Sequence, residues 1–165
     1  MIDLNRGALK KSAAFPDLDA AADSLARAEQ KRDYLGGSRL GEQCSRKLQY
    51  EFFGTPSERP RNAKTMMIFA TGHALEAEVC RLLRAAGLQI KTHDQGGGQY
   101  GFSVADGLLR GHVDGIICDG PAEFGPYPYI FENKAVGAKY WTAIVKKCVA
   151  AERPVYAAQI AIYQA

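Results

Sequence analysis

Asp114, Glu132 and Lys134 are the residues whose types and spacing best suit chemistry. Glu132 and Lys134 are two apart in a run, residues 127–134, that reads as a β-strand, so they project from one face. Asp114 lies inside the β-rich run 108–118 and not in the turn after it, where Asp119-Gly120 already supply turn chemistry. Pairing the two strands through the long turn at 119–126 sets Asp114 roughly opposite Glu132, to within one or two residues. Facing carboxylates repel. Lys134 offsets part of that repulsion. A divalent cation would offset more, and Mg²⁺ or Mn²⁺ prefers carboxylate and carbonyl oxygens. On spacing alone, a metal site and an exposed salt-bridge network fit these residues equally well.

Two helical stretches carry further polar groups. His73 and Glu76 are three apart on a strongly helical run, 65–86, and share a face. His73 falls among Phe69, Ala70 and Ala77, on the side expected to meet the core. Gln159 and Tyr163 are four apart on the last helix, on one face with Tyr156. Taken singly, these are ordinary packing helices with polar rims.

The elements that must position these groups read in the order helices, three or four strands, helices. Residues 1–16 form an irregular arm ending at Pro16. A helix follows over 17–35, with Asp17 and Asp19 in its first turn and Gly36-Gly37 as its stop. A second stretch starts at Ser38, with Leu40, Cys44, Leu48 and Phe52 recurring every four residues. Residues 55–64 are a polar loop. The helix at 65–86 has a broad face through Met66, Phe69, Ala70, His73, Ala77 and Cys80. Short β-rich runs at 88–92, 100–104, 108–118 and 127–134 come next. Helices at 138–151 and 155–164 close the chain, the second with Pro154 at its first turn. Gly96, Gly98 and Gly101 satisfy G-x-G-x-x-G, but strand-like Phe102-Ser103-Val104 follows where a dinucleotide loop needs a helix N-terminus, so this is a hairpin turn.

Composition narrows the classes. The chain has 165 residues, 47% hydrophobic and 24% charged, the profile of one globular domain, here 17–165. No apolar run approaches the roughly 20 residues that span a bilayer, so no membrane partner is expected. The first residues lack the apolar stretch of a secretory signal. Cys44, Cys80, Cys118 and Cys148 are scattered with no C-x-x-C pair, as reduced thiols of an intracellular protein would be. The net charge of +3 lies wholly in residues 1–64, which hold 12 Lys and Arg against 9 Asp and Glu. Arg39, Arg46, Lys47, Arg59, Arg61 and Lys64 are either a solvated surface or a flank that meets phosphates.

In this order, the motifs resemble the RecB-like branch of the PD-(D/E)XK nuclease superfamily, over residues 38–163. S-R-L-G-E-Q-C-S-R-K-L-Q-Y (38–50) is similar to the branch's N-terminal segment and G-H-A-L-E (72–76) to its first helical motif. G-H-V-D-G (111–115) carries the Asp, E-N-K (132–134) the E-x-K signature and Q-I-A-I-Y (159–163) the Q-x-x-x-Y motif. The resemblance implies an α/β fold, with a central mixed sheet of three to five strands flanked by helices as in restriction endonucleases. It implies that His73, Asp114, Glu132 and the Asn133 carbonyl ligate one or two Mg²⁺ or Mn²⁺ ions, and that Lys134 positions and helps deprotonate the attacking water. Gln159 and Tyr163 would hold the DNA strand, Arg46 would meet a phosphate and Glu76 would orient His73. Some members also hold an iron–sulfur cluster through one Cys near the first motif and three beyond the last. Cys44 matches the first, the other three are absent, and no cluster is expected. Related domains continue past the last helix, so a chain ending two residues after Tyr163 is a fragment, a naturally short form or a domain completed by another chain.

The expected activity is a metal-dependent deoxyribonuclease of the exonuclease kind, cytoplasmic, serving recombination, repair or phage DNA metabolism. Its expected partners are DNA and a recombination protein or a second copy of the chain. Two rivals stand beside it: a DNA-binding accessory module of the same fold that does not cut, and a zinc hydrolase built on His73, His93 and His112. The second lacks any H-x-x-x-H or H-E-x-x-H spacing.

Overall fold

A computed structural model describes residues 17–28, 32–56 and 62–165. The arm at 1–16, Arg59 and Arg61 lie outside the described residues.

Helix α1 (Leu18–Ala28) begins where the Asp17 carboxylate accepts the free N–H groups of Asp19 and Ala20, both at 3.1 Å. Leu35, expected at the end of this helix, instead starts strand β1 (Leu35–Gly36). A single 3₁₀ turn, Gly37–Arg39, separates it from α2 (Ser45–Phe52). The long α3 (Ala63–Ala85) is capped by Asn62, whose side chain accepts from the Thr65 N–H at 2.9 Å. Asp19 accepts the Ala63 N–H at 3.0 Å and ties α1 to α3.

Among the described residues, five short strands fall in the four expected β-rich runs: β2 (Gln89–Lys91), β3 (Gly101–Val104), β4 (Leu109–His112), β5 (Gly115–Asp119) and β6 (Tyr129–Phe131); β1 was not expected. The glycine-rich G-x-G-x-x-G segment is indeed a turn. Asp94 Oδ1 accepts the Gly96 and Gly98 N–H groups, and His93 bridges antiparallel to Gln99. The last two helices are α4 (Ala138–Glu152) and α5 (Pro154–Gln164).

The α/β class is observed, but the single central sheet is not. The described residues form two three-stranded sheets, β1-β4-β3 and β2-β5-β6. The first is mixed, with β1 parallel to β4, and the second is antiparallel. The expected strand over 108–118 breaks at Val113-Asp114, where β4 ends and β5 begins. There the Val113 N–H still bonds Tyr100 O at 2.9 Å, on the first sheet's side, while Gly115 pairs with Phe131 in the second. One chain segment thus serves two sheets, and Asp114 sits at the joint.

The core is thin. Ala22, Cys80, Ile90 and Val113 are its buried apolar residues, and among the described residues no large side chain is fully enclosed. The inner face of α3 runs through Gly72, Glu76, Val79, Cys80 and Leu83, not through Phe69, Ala70, His73 and Ala77, which are exposed. The expected face was rotated because Met66, Phe69 and Ala70 are apolar. The helix instead turns its smaller and half-polar residues inward and leaves Met67, Ile68 and Phe69 more than half exposed.

Candidate functional site

The site is built on the antiparallel pair β5–β6. Gly115 faces Phe131 and Ile116 faces Ile130, so continuing the register by one residue sets Asp114 against Glu132. The expected pairing is therefore met. The expected strand 127–134 is shorter, however, and ends at Phe131. Asp114 explains the early end: its Oδ2 accepts the Asn133 N–H at 2.7 Å, so a side chain takes the bond a partner backbone would have made. Residues 132–134 lie beyond the ladder, and Glu132 and Lys134 are joined by an ion pair.

Glu132 is deeply placed. Its side chain is 5% exposed, against 34% for Lys134. Oε1 accepts from Lys134 Nζ and from Gln159 Nε2, the latter at 2.7 Å. Oε2 is buried and has no hydrogen-bond partner. A buried carboxylate oxygen left unsatisfied costs free energy. Burial accordingly pushes the Glu132 carboxyl above its ordinary value, and the Asp114 charge pushes the same way; Lys134 and Gln159 pull it back only in part.

Glu76 lies on α3. It is half-buried, and desolvation, then the Asp114 charge, raise its pKa, while His73 and Lys134 oppose the shift. Glu76 thus feels the charges of Asp114 and Lys134. His73 itself is exposed. Among the described residues, no three His, Cys, Asp or Glu side chains stand close enough to form a ready cage for an ion. His73, Asp114 and Glu132 are therefore not drawn together as a closed ligand set, and neither are His73, His93 and His112. Mg²⁺ does not require such a cage, since it usually keeps several waters and takes one or two carboxylates plus substrate phosphates. The unpartnered Glu132 oxygen beside Asp114 fits that demand.

Gln159 and Tyr163 stand close to the pair, but they face inward. Gln159 is 3% exposed, and both of its amide hydrogens are committed, one to Glu132 and one to the Tyr163 hydroxyl at 3.0 Å. It therefore holds Glu132 and offers no free donor to a strand. Burial pushes the Tyr163 phenol up, with the Gln159 bond opposing. The Tyr163 ring meets Phe102 edge-on at 5.8 Å between centroids. It lies over Gly111, where an added Cβ would come within 2.7 Å of the ring and 2.5 Å of Phe102. Gly111 is the first residue of the G-H-V-D-G segment, so its value there is room for the ring that anchors Gln159. Gly41 acts similarly, since a Cβ would approach the Val155 backbone of α5 to 2.6 Å.

Arg46 is exposed on α2. Its neighbours are less available for phosphate than the sequence suggests. Arg39 grips Glu51 with two bonds of 2.8 Å, and Lys47 meets Glu42 at 2.6 Å. Tyr156 was read as a packing residue, yet Lys134 Nζ lies 5.7 Å from its ring centroid, within cation–π reach. Its position one turn before Gln159 was the available signal. Trp141 also reaches the rim, and no motif marked it. The four cysteines carry no disulfide. Among the described residues no helix is long and apolar enough to cross a membrane. Comparisons with known protein families, with curated proteins and with solved structures find no match.

Proposed function

We propose that this protein is a divalent-metal-dependent deoxyribonuclease that hydrolyses phosphodiester bonds from DNA ends, in recombination, repair or phage DNA metabolism. The observation that supports the reading is the buried, unpartnered oxygen of Glu132, with Lys134 paired to the same carboxylate and Asp114 bonded to the next residue's N–H. Asp114 and Glu132 would hold Mg²⁺ or Mn²⁺, with the Asn133 carbonyl and the substrate phosphate as further oxygens. When bound, such an ion supplies Lewis acidity and a water activated near neutral pH. Lys134 donates to the attacking water or to a phosphate oxygen and offsets the negative charge that grows in the transition state. Gln159 keeps Glu132 from swinging out, and the Tyr163 ring keeps Gln159 in place. Arg46 contacts the DNA backbone from α2. The protein works in the cytoplasm, with DNA and a recombination protein or a second copy of the chain as partners.

Linear DNA incubated with Mn²⁺ or Mg²⁺ and the wild-type protein is degraded in this account, whereas Lys134→Ala and Asp114→Ala leave it intact. Equal degradation by all three, or by none, rejects the assignment. The second reading, a binding module that does not cut, is favoured by the lack of a three-donor cluster among the described residues. Salt-dependent DNA binding without turnover under every divalent metal would establish it.

A further inference from the structure

A cavity of about 210 Å³ opens beside the carboxylate pair, lined by Glu132, Lys134, Trp141, Ile144, Tyr156 and Ile160, among others. Its walls come from α4 and α5. Its charged groups are Glu132 and Lys134 alone; the rest of the lining is aliphatic or aromatic. Pockets for drug-sized ligands run to roughly 300–1,000 Å³, so this one suits a single ring system. A base pair is too large for it.

Trp141 is the chain's single tryptophan and is 60% exposed. Its indole contributes little to the core, yet it lines a cavity that Lys134 also lines. A flat aromatic surface next to a cation is the combination that holds single-stranded nucleic acid, because every base has a π-face and every nucleotide brings a phosphate. Tyr156 adds a second aromatic wall, and its ring also stands near Lys134.

We propose that this cavity seats one unpaired nucleobase, stacked on Trp141, next to the phosphodiester held at Lys134. The inference rests on the nuclease reading and narrows its substrate: the strand must be single or frayed at the site, because a paired base cannot leave its partner to enter.

Trp141 reports on its own site, since no other indole contributes to the fluorescence. The full chain in metal-free buffer with chelator is titrated with oligo(dT), with a blunt duplex of equal length and with an oligomer of abasic sugars. Binding is followed in parallel by anisotropy of labelled DNA. Saturable quenching by oligo(dT) is expected, with little by the duplex and none by the abasic strand. Trp141→Ala weakens oligo(dT) binding by roughly five- to 150-fold, the range for losing one stacked base, and Trp141→Phe restores most of it. Equal quenching by all three ligands, or an unchanged affinity in Trp141→Ala, overturns the proposal. If wild-type protein still degrades linear DNA with Mn²⁺ in that case, only the base seat has failed. If no DNA binds and none is degraded with Mn²⁺, the nuclease reading fails with it.

Discussion

Two acidic clusters lie within this small protein, and they are treated in opposite ways. Around α2, Glu42 and Glu51 are matched by Arg39 and Lys47 in exposed ion pairs. The Lys47 hydrogen bond holds the Glu42 carboxyl below its ordinary value. Between β5 and β6, Glu132 pairs with the Lys134 ammonium near Asp114, Glu76 of α3 feels the charges of Asp114 and Lys134, and burial holds Glu132 and Glu76 above their ordinary values. The first cluster is complete as it stands. The second is short of positive charge, and one of its oxygens is sealed from water without a partner. A fold that balances its carboxylates in one place and leaves them unbalanced in another makes the second place the candidate functional site.

Catalysis gives the largest contrast. Lys134→Ala lowers the rate of linear DNA hydrolysis by about 10²–10⁴-fold, the range for losing a group that handles a proton in the transition state. Lys47→Ala, in the balanced cluster, leaves the single-turnover rate at saturating DNA unchanged. A similar loss in both variants would erase the distinction.

Metal binding comes next. At a hundredfold excess over its Kd, Mn²⁺ stabilises the protein by about 2.7 kcal/mol. For a chain of this length that is roughly 5–10 °C in a thermal melt. Glu132→Gln removes the shift and Glu42→Gln keeps it.

Packing behind the site is a smaller lever. Gly111→Ala pushes a methyl group into Tyr163 and Phe102, costing about 1–3 kcal/mol by chemical denaturation. It also slows hydrolysis, because Gln159 loses its anchor and Glu132 its hold. In the balanced cluster, Glu51→Gln costs only about 0.2–1 kcal/mol, as exposed ion pairs do.

The pH dependence of the metal-free protein separates the clusters by sign. Glu132 and Glu76 have folded pKa values raised above the unfolded ones. Their contribution is fully present below the unfolded value of about 4.5 and is lost as pH rises through the folded values. Glu42 is lowered, so its contribution is present above about 4.5 and is lost as pH falls through the folded value. Denaturation curves of Glu132→Gln should therefore lose part of the decline above pH 4.5, and those of Glu42→Gln part of the decline below it. Identical profiles for the two variants would contradict the assignment.

How far these contrasts could be read in advance depended on the range of the interaction. The Asp114–Glu132 pairing was legible to within one or two residues, because alternation is local but the long turn leaves the register loose. The helix at α3 was legible from its repeating apolar residues and the start of α5 from Pro154. The division into two sheets was not. It follows from Val113 bonding one strand while Gly115 pairs with another, a competition between partners distant in the chain. The inner face of α3 was missed for a related reason: apolar periodicity points inward only when the core is large enough to receive it. Here Phe69 and Ile68 stay out and Glu76 goes in. Gln159 and Tyr163 were recognisable as a motif, but their inward task depends on the space left by Gly111.

The central claim is that Asp114 and Glu132 form a cation site and that the α2 cluster does not. Electron paramagnetic resonance of free Mn²⁺ during titration tests it most directly. The account predicts that wild type and Glu42→Gln/Glu51→Gln deplete the free-ion signal alike, while Asp114→Asn/Glu132→Gln leaves it at the level of buffer. Equal depletion by the wild type and Asp114→Asn/Glu132→Gln, or none by the wild type, would contradict it.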